Sequence, residues 1–85
     1  MEFQELLTWA EQQVLANTGK PLDDLQKAIL CGTWEREKYS HIAKSYHCTE
    51  VHVKKVASLL WKTLSQSLGD GKQINKSNLR STFQR

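Results

Sequence analysis

The sequence has little of what builds disulfide frameworks or membrane spans. Only two of its 85 residues are cysteine (Cys31 and Cys48), one is proline and four are glycine, and its apolar runs are short. Two cysteines do not make the bridged scaffold of a small secreted domain, and short apolar runs do not cross a bilayer. The N-terminus carries Glu2 and Glu5, unlike a signal or transit peptide. We therefore expect reduced thiols, no membrane partner and a cytoplasmic location.

The composition is that of a folded domain: 39% of the residues are hydrophobic and 25% are charged. A chain of this length supports one small core and leaves no room for a separate catalytic domain. Lys and Arg exceed Asp and Glu by three in total, but the excess is uneven. Residues 1–34 carry −3, residues 35–48 carry +1, and residues 49–85 carry +5. A polyanion would therefore meet the C-terminal half first.

Apolar residues recur at helical spacing along the whole chain, which predicts an all-α fold of five helices. The first helix covers about 2–16 and stops at Asn17–Pro21, where Gly19 can adopt a left-handed conformation. The second begins after Asp23, which with Gln26 forms a capping-box pattern, and is predicted to end near Cys31-Gly32.

The remaining pattern predicts a short helix, a tight turn and a long helix. The short third helix has its apolar residues on one face: Tyr39, Ile42, Ala43 and Tyr46. Thr49 is a suitable N-cap for the long fourth helix, whose apolar positions are Val53, Val56, Ala57, Leu60, Leu64 and Leu68. A turn at Gly69-Asp70-Gly71 and a last short helix, capped by Asn75 and carrying Leu79 and Phe83, complete the chain.

The second to fourth helices have the proportions of a helix-turn-helix. The small Ala43 suits a close helix crossing, and the buried valines would fill the angle between the helices. In a DNA reader, the start of the long helix enters the major groove and its first turn meets a phosphate. The residues assigned to this role are Thr49, Glu50, Val51, Lys54, Lys55 and Ser58. The candidates for contacts with the DNA backbone are Lys62, Lys72, Lys76 and Arg80.

Other readings of the same helices remain open. Helical units of this size also bind proteins only, and lysines are ordinary on a solvated helix face. The presumed recognition helix has no arginine, the commonest base-specific contact, which counts against strong base readout. The alternatives are a protein-interaction or signalling adaptor domain without nucleic-acid binding, and weak homodimerisation through an exposed tryptophan or the first helix.

Glycine, tryptophan and capping positions along the chain match one family. The matching residues are Thr18-Gly19-Lys20-Pro21-Leu22-Asp23-Asp24-Leu25-Gln26, Ile29-Leu30-Cys31-Gly32-Thr33-Trp34, Tyr39, Ile42-Ala43, Leu60-Trp61-Lys62-Thr63-Leu64-Ser65, Leu68-Gly69 and Lys76-Ser77-Asn78-Leu79-Arg80. On these residues the chain resembles the N-terminal helix-turn-helix domain found ahead of cyanobacterial STAND-type NTPases (NB-ARC- and AAA-like proteins with WD repeats) and in vWA–MoxR-associated systems.

The resemblance covers all 85 residues and implies a tetrahelical helix-turn-helix core like that of response regulators and sigma factors. It also implies a single domain, 1–85, that forms the N-terminal module of a larger protein. Three positions depart from the family pattern. His47 replaces the usual turn glycine and must either become left-handed at some cost or reshape the turn. Cys48 replaces an aromatic residue, and Lys55 stands where the family often has an acidic residue.

The sequence gives little support for a catalytic site or a metal site. His47, Cys48 and His52 lie close in sequence, but zinc sites use four ligands at paired spacings that are missing here. A Cys/His nucleophile pair lacks an orienting third residue. We therefore expect no enzyme activity, no metal and no cofactor. The three tryptophans, Trp9, Trp34 and Trp61, are expected at the core edge with solvated indole N–H groups, rather than as stacking platforms for single strands.

Overall fold

The computed structural model describes residues 2–68 and 73–83, and within them it is built from helices. The prediction of an all-α, five-helix domain is confirmed. In chain order the helices are α1 (Phe3–Thr18), α2 (Asp24–Trp34), α3 (Tyr39–Ser45), α4 (Glu50–Leu68) and α5 (Leu79–Phe83). The predicted turn at Gly69-Asp70-Gly71 and the side chains of Leu68 and Phe83 lie outside the described part of the chain.

Capping residues define where α1 ends and where α2 begins. Gly19 ends α1 in a left-handed conformation (φ 75°), and its N–H donates to the Leu15 carbonyl at 2.9 Å. At the start of α2, Asp23 Oδ1 accepts from the Gln26 backbone N–H at 2.7 Å, while Gln26 Oε1 accepts from the Asp23 N–H. The predicted capping box is therefore confirmed. The first helix runs two residues past its predicted end, to Thr18.

One core joins all five helices, with α4 packed against α1, α2 and α3. The largest fully enclosed side chains of the core are Leu6, Ile29, Leu30, Val53, Leu60, Leu64 and Leu79. Asn75 precedes α5 and its side-chain oxygen accepts the backbone N–H groups of Ser77 and Asn78, confirming the predicted cap. The core thus fixes α4 from its first turn onward and leaves its opposite face to solvent.

The end of α2 differs from the prediction. Gly32 does not end the helix, which continues to Trp34, because this glycine is a packing residue. A Cβ at position 32 would lie 2.6 Å from Cδ1 of Ile42, so the Ile42 side chain can keep its present position only because residue 32 has no Cβ. The chain then turns through Arg36, which is left-handed (φ 62°) although it is not glycine.

Two tryptophans lie deeper than expected. Trp34 and Trp61 are each only 7% exposed, so neither offers a ring face to a single-stranded ligand. The indole N–H of Trp61 donates to the Tyr39 hydroxyl at 2.9 Å, so the expectation of a solvated indole N–H was wrong for this residue. A buried donor needs a partner, and Tyr39 supplies it. Trp9 is half-buried at the core edge, as expected.

Candidate nucleic-acid interface

The turn between α3 and α4 is held by backbone hydrogen bonds. The Cys48 N–H donates to the Ala43 carbonyl at 3.0 Å, which folds the chain back across the end of α3. His47 is left-handed (φ 53°), so of the two outcomes expected for the missing turn glycine this one occurs. Cys48 is half-buried against the core. Tyr46 was expected on the buried face of α3, but the helix ends at Ser45 and its side chain is 45% exposed.

Thr49 caps α4, as predicted from the sequence. Its Oγ1 accepts from the backbone N–H of His52 at 3.1 Å, and its carbonyl accepts from Val53 at 3.1 Å. A threonine hydroxyl that accepts this bond still carries a hydrogen to donate. The first turn of α4 therefore presents a hydroxyl donor beside backbone N–H groups, a combination suited to an anion.

The burial pattern of α4 separates a packed face from a free one. Val53 and Ala57 are fully buried and Val56 is partly buried, in agreement with the predicted core positions. On the opposite side, four exposed residues follow one another at helical spacing, and we call them the exposed row: Val51, Lys55, Ser58 and Lys62. At 1.5 Å per residue the row extends about 16 Å along the helix.

The lysines of α4 differ in their ion pairing. The Lys54 ammonium lies 2.9 Å from a carboxylate oxygen of Glu50, one turn earlier. Such an exposed pair contributes only about 0.3–0.5 kcal/mol to stability, so a phosphate can compete for Lys54. Across residues 2–68 and 73–83, the ion pairs of lysine are those of Lys27 with Glu11 and Lys54 with Glu50. The two lysines of the exposed row therefore have no carboxylate partner among the residues that the structure describes.

The basic residues near the C-terminus have intramolecular contacts. Lys76 Nζ lies 5.4 Å from the centre of the Tyr39 ring, a cation–π contact. Arg80 Nη1 donates to the Trp34 carbonyl at 3.0 Å, and its guanidinium lies over the Trp34 ring. Arg80 Nε is buried and finds no acceptor among the described residues. Lys72 lies outside the described residues. Lys76 and Arg80 thus contact the start of α3 and the end of α2, while Lys62 belongs to the exposed row.

The cysteines and histidines do not come together as a metal centre. Within the described residues, no group of three or more His, Cys, Asp or Glu side chains is arranged to hold a metal ion. Cys31 is an exposed free thiol and Cys48 a half-buried one. Burial, and then the nearby carboxylates of Glu35 and Glu37, raise the pKa of the Cys31 thiol. A raised pKa keeps this thiol protonated and lowers its reactivity.

Leu59 is an exposed residue that the sequence interpretation did not single out. It lies on α4 beside the exposed row and is 60% exposed. Its position eight residues after Val51 would have placed it on the solvent side of the helix. With Val14 and Pro21 it borders a groove of about 570 Å³ between α1 and α4. None of the helices described here combines the length and the apolar character needed to cross a membrane.

The comparisons with known proteins agree with this architecture. No curated protein and no solved structure shows a significant match to the chain. One family model matches residues 1–85, and its description is "vWA-MoxR associated protein N-terminal HTH". The match spans every helix described above, including the capped turn between α3 and α4. The chain therefore belongs to the family of N-terminal helix-turn-helix domains of vWA-MoxR associated proteins.

Proposed function

We propose that this domain binds duplex DNA through α4, as a transcription-regulatory or sensor module of a longer cytoplasmic protein. The observation that carries the proposal is the exposed row, in which two lysines alternate with an apolar and a hydroxyl side chain. Neither lysine has an ion-pair partner within residues 2–68 and 73–83. These residues lie opposite the packed face of α4. A helix presented in this way fits the major groove, where base edges and both phosphate backbones are within reach.

The basic charge of residues 49–85 and the cap of α4 also support DNA binding by this face of the helix. Residues 49–85 carry seven Lys and Arg against two Asp and Glu, so their field attracts a polyanion. Thr49 and Lys54 add a hydroxyl donor and a weakly held ammonium at the start of the helix. We assign the phosphate contacts to Thr49, Lys55 and Lys62, with Lys54 recruited when its pair with Glu50 opens. Ser58 is assigned to a base edge, because a serine hydroxyl can donate to or accept from any base.

Salt dependence tests the proposal. Binding of a labelled duplex is measured by fluorescence anisotropy between about 50 and 200 mM salt, for the wild type and Lys55→Ala/Lys62→Ala. Each lost phosphate contact reduces the slope of log K against log[salt] by about 0.9, so the double variant should lose about two units. Lys27→Ala is the control for a lost charge elsewhere, because it removes one positive charge from α2, away from the exposed row, and should leave the slope unchanged. Equal slopes for the wild type and the double variant would refute the assignment to α4.

A second candidate function is a protein-interaction or signalling adaptor domain of a STAND-type NTPase. Two exposed leucines favour it, because Leu59 is 60% exposed and Leu15 on α1 is 51% exposed. Exposed apolar side chains near a groove are suited to a protein partner or to weak self-association. Sedimentation velocity of the wild type and Leu15→Ala/Leu59→Ala distinguishes self-association from binding to a different protein. A concentration-dependent increase in mass that the variant loses supports self-association, and a monomer at every concentration excludes it.

A further inference from the structure

Val51 is an apolar residue in a polar setting. It lies in the first turn of α4 and is 77% exposed, more than Leu15 or Leu59. A β-branched residue has a lower helix propensity than lysine or glutamate, so helix stability does not explain valine here. Core packing does not explain it either, because Val53 and Val56 supply the valine contacts to the core.

The surroundings of Val51 are charged on both sides. The Glu50–Lys54 pair lies along one side, with 2.9 Å between its charged atoms, and Lys55 follows one turn later on the other. A duplex docked on the exposed row would therefore bring its base edges onto the valine methyl groups, while the lysines meet the backbone.

We propose that Val51 is a specificity-determining residue that contacts the C5-methyl group of thymine in the major groove. The inference rests on the proposed function and adds the base type that α4 favours. Valine has no hydrogen-bonding group, and the thymine methyl is the apolar group that a base pair presents in the major groove. Because the branched side chain is stiff, little rotamer entropy is lost when it packs against the methyl group.

Uracil substitution tests the contact, since deoxyuridine differs from thymidine only by this methyl group. The tightest duplex from a randomised pool is selected with the wild-type protein, and each thymine in it is then replaced singly by uracil. Burying one methyl group contributes enough for about a fourfold change in affinity, so at least one position should lose about fourfold. The other thymines should change little.

Two variants connect the effect to Val51. In Val51→Ala the same uracil substitution should cost less than about 1.5-fold, because the two γ-methyl groups that reach the thymine are removed and only the shorter Cβ remains. Leu59→Ala is the matched control: it removes exposed apolar surface two turns further along α4 and should retain the fourfold loss. Both positions are exposed, so circular dichroism should show an unchanged fold for each variant.

The outcomes distinguish the inference from the proposed function. Tight binding with no position sensitive to uracil, or an undiminished uracil effect in Val51→Ala, overturns the role of Val51 and leaves DNA binding intact. Failure of the selection to enrich any duplex overturns DNA binding and the Val51 contact together. A uracil effect that Val51→Ala abolishes and Leu59→Ala keeps supports the contact.

Discussion

The indole nitrogen of Trp61 donates a hydrogen bond to the hydroxyl of Tyr39 at 2.9 Å, joining the middle of α4 to the first residue of α3. Trp61 is buried and Tyr39 is partly buried against the core, and the Lys76 ammonium lies against the Tyr39 ring. The contact therefore ties the two helices of the helix-turn-helix together at the side away from their connecting turn. It helps to fix the angle at which α4 leaves the domain.

Replacing Tyr39 by Phe should destabilise the domain. Trp61 would keep a buried N–H without its acceptor, and such an unsatisfied donor costs about 1–3 kcal/mol. Urea unfolding measures the loss, with Tyr46→Phe as the control because Tyr46 is exposed. Equal midpoints for the wild type and Tyr39→Phe would show that the Trp61–Tyr39 bond adds nothing to stability.

Tyr39 should also make stability depend on alkaline pH. Burial raises the pKa of Tyr39, although the hydrogen bond from Trp61 partly opposes this increase. Above about pH 10, tyrosine in the unfolded chain ionises while folded Tyr39 keeps its proton. The unfolded state then binds fewer protons, so the free energy of unfolding falls as pH rises. Compared by urea unfolding at about pH 8 and pH 10.5, the wild type should lose more stability than Tyr39→Phe; equal losses would contradict the assignment.

Gly32→Ala should loosen the packing of α2 on α3. The added methyl would lie 2.6 Å from Cδ1 and 2.9 Å from Cγ1 of Ile42, and relieving this overlap costs about 1–3 kcal/mol. Ile42→Val removes the nearer atom, so the double variant should lose less stability than the sum of the two single changes. Thermal or urea unfolding of the wild type, the two single variants and the double variant gives the coupling free energy between positions 32 and 42. Additive losses would indicate that the contact does not restrict position 32.

His47→Gly should stabilise the turn before α4. His47 is left-handed, a conformation that costs a non-glycine residue about 1 kcal/mol and glycine almost nothing. Allowing for the greater freedom of glycine in the unfolded chain, we expect a net gain of about 0.5 kcal/mol by urea unfolding. His41→Gly, in the middle of the exposed side of α3, is the control and should lose about 1 kcal/mol. Destabilisation by His47→Gly would mean that its side chain supports the turn.

The sequence was sufficient to predict those structural features that a short segment of the chain determines. The Asp23–Gln26 capping box and the Thr49 cap both depend on neighbours within a few residues, and both are confirmed. The Glu50–Lys54 ion pair could have been predicted in the same way, because residues four apart on a helix are adjacent.

Contacts between distant segments could not be predicted in the same way. Gly32 looked like a helix stop because its role depends on Ile42, which belongs to another helix. The partners of Trp61 and Arg80 are 22 and 46 residues away, and neither follows from helical periodicity. Arg36 is left-handed, but the position holds neither glycine nor asparagine, the residues that would have predicted this conformation. For the site, the spacing was enough to define the free face of α4, but only the packed structure separates its unpaired lysines from the engaged Arg80.

Backbone amide NMR during titration with a short duplex, at two salt concentrations, tests the proposed interface most directly. Binding through α4 predicts shifts that cluster from Thr49 to Lys62, are largest around Val51 and Lys55, and fade as salt is added. The amides of α1 and the start of α2 should stay unchanged. Shifts confined to α1, or no shifts at low salt, would contradict DNA binding by α4 and favour a protein partner.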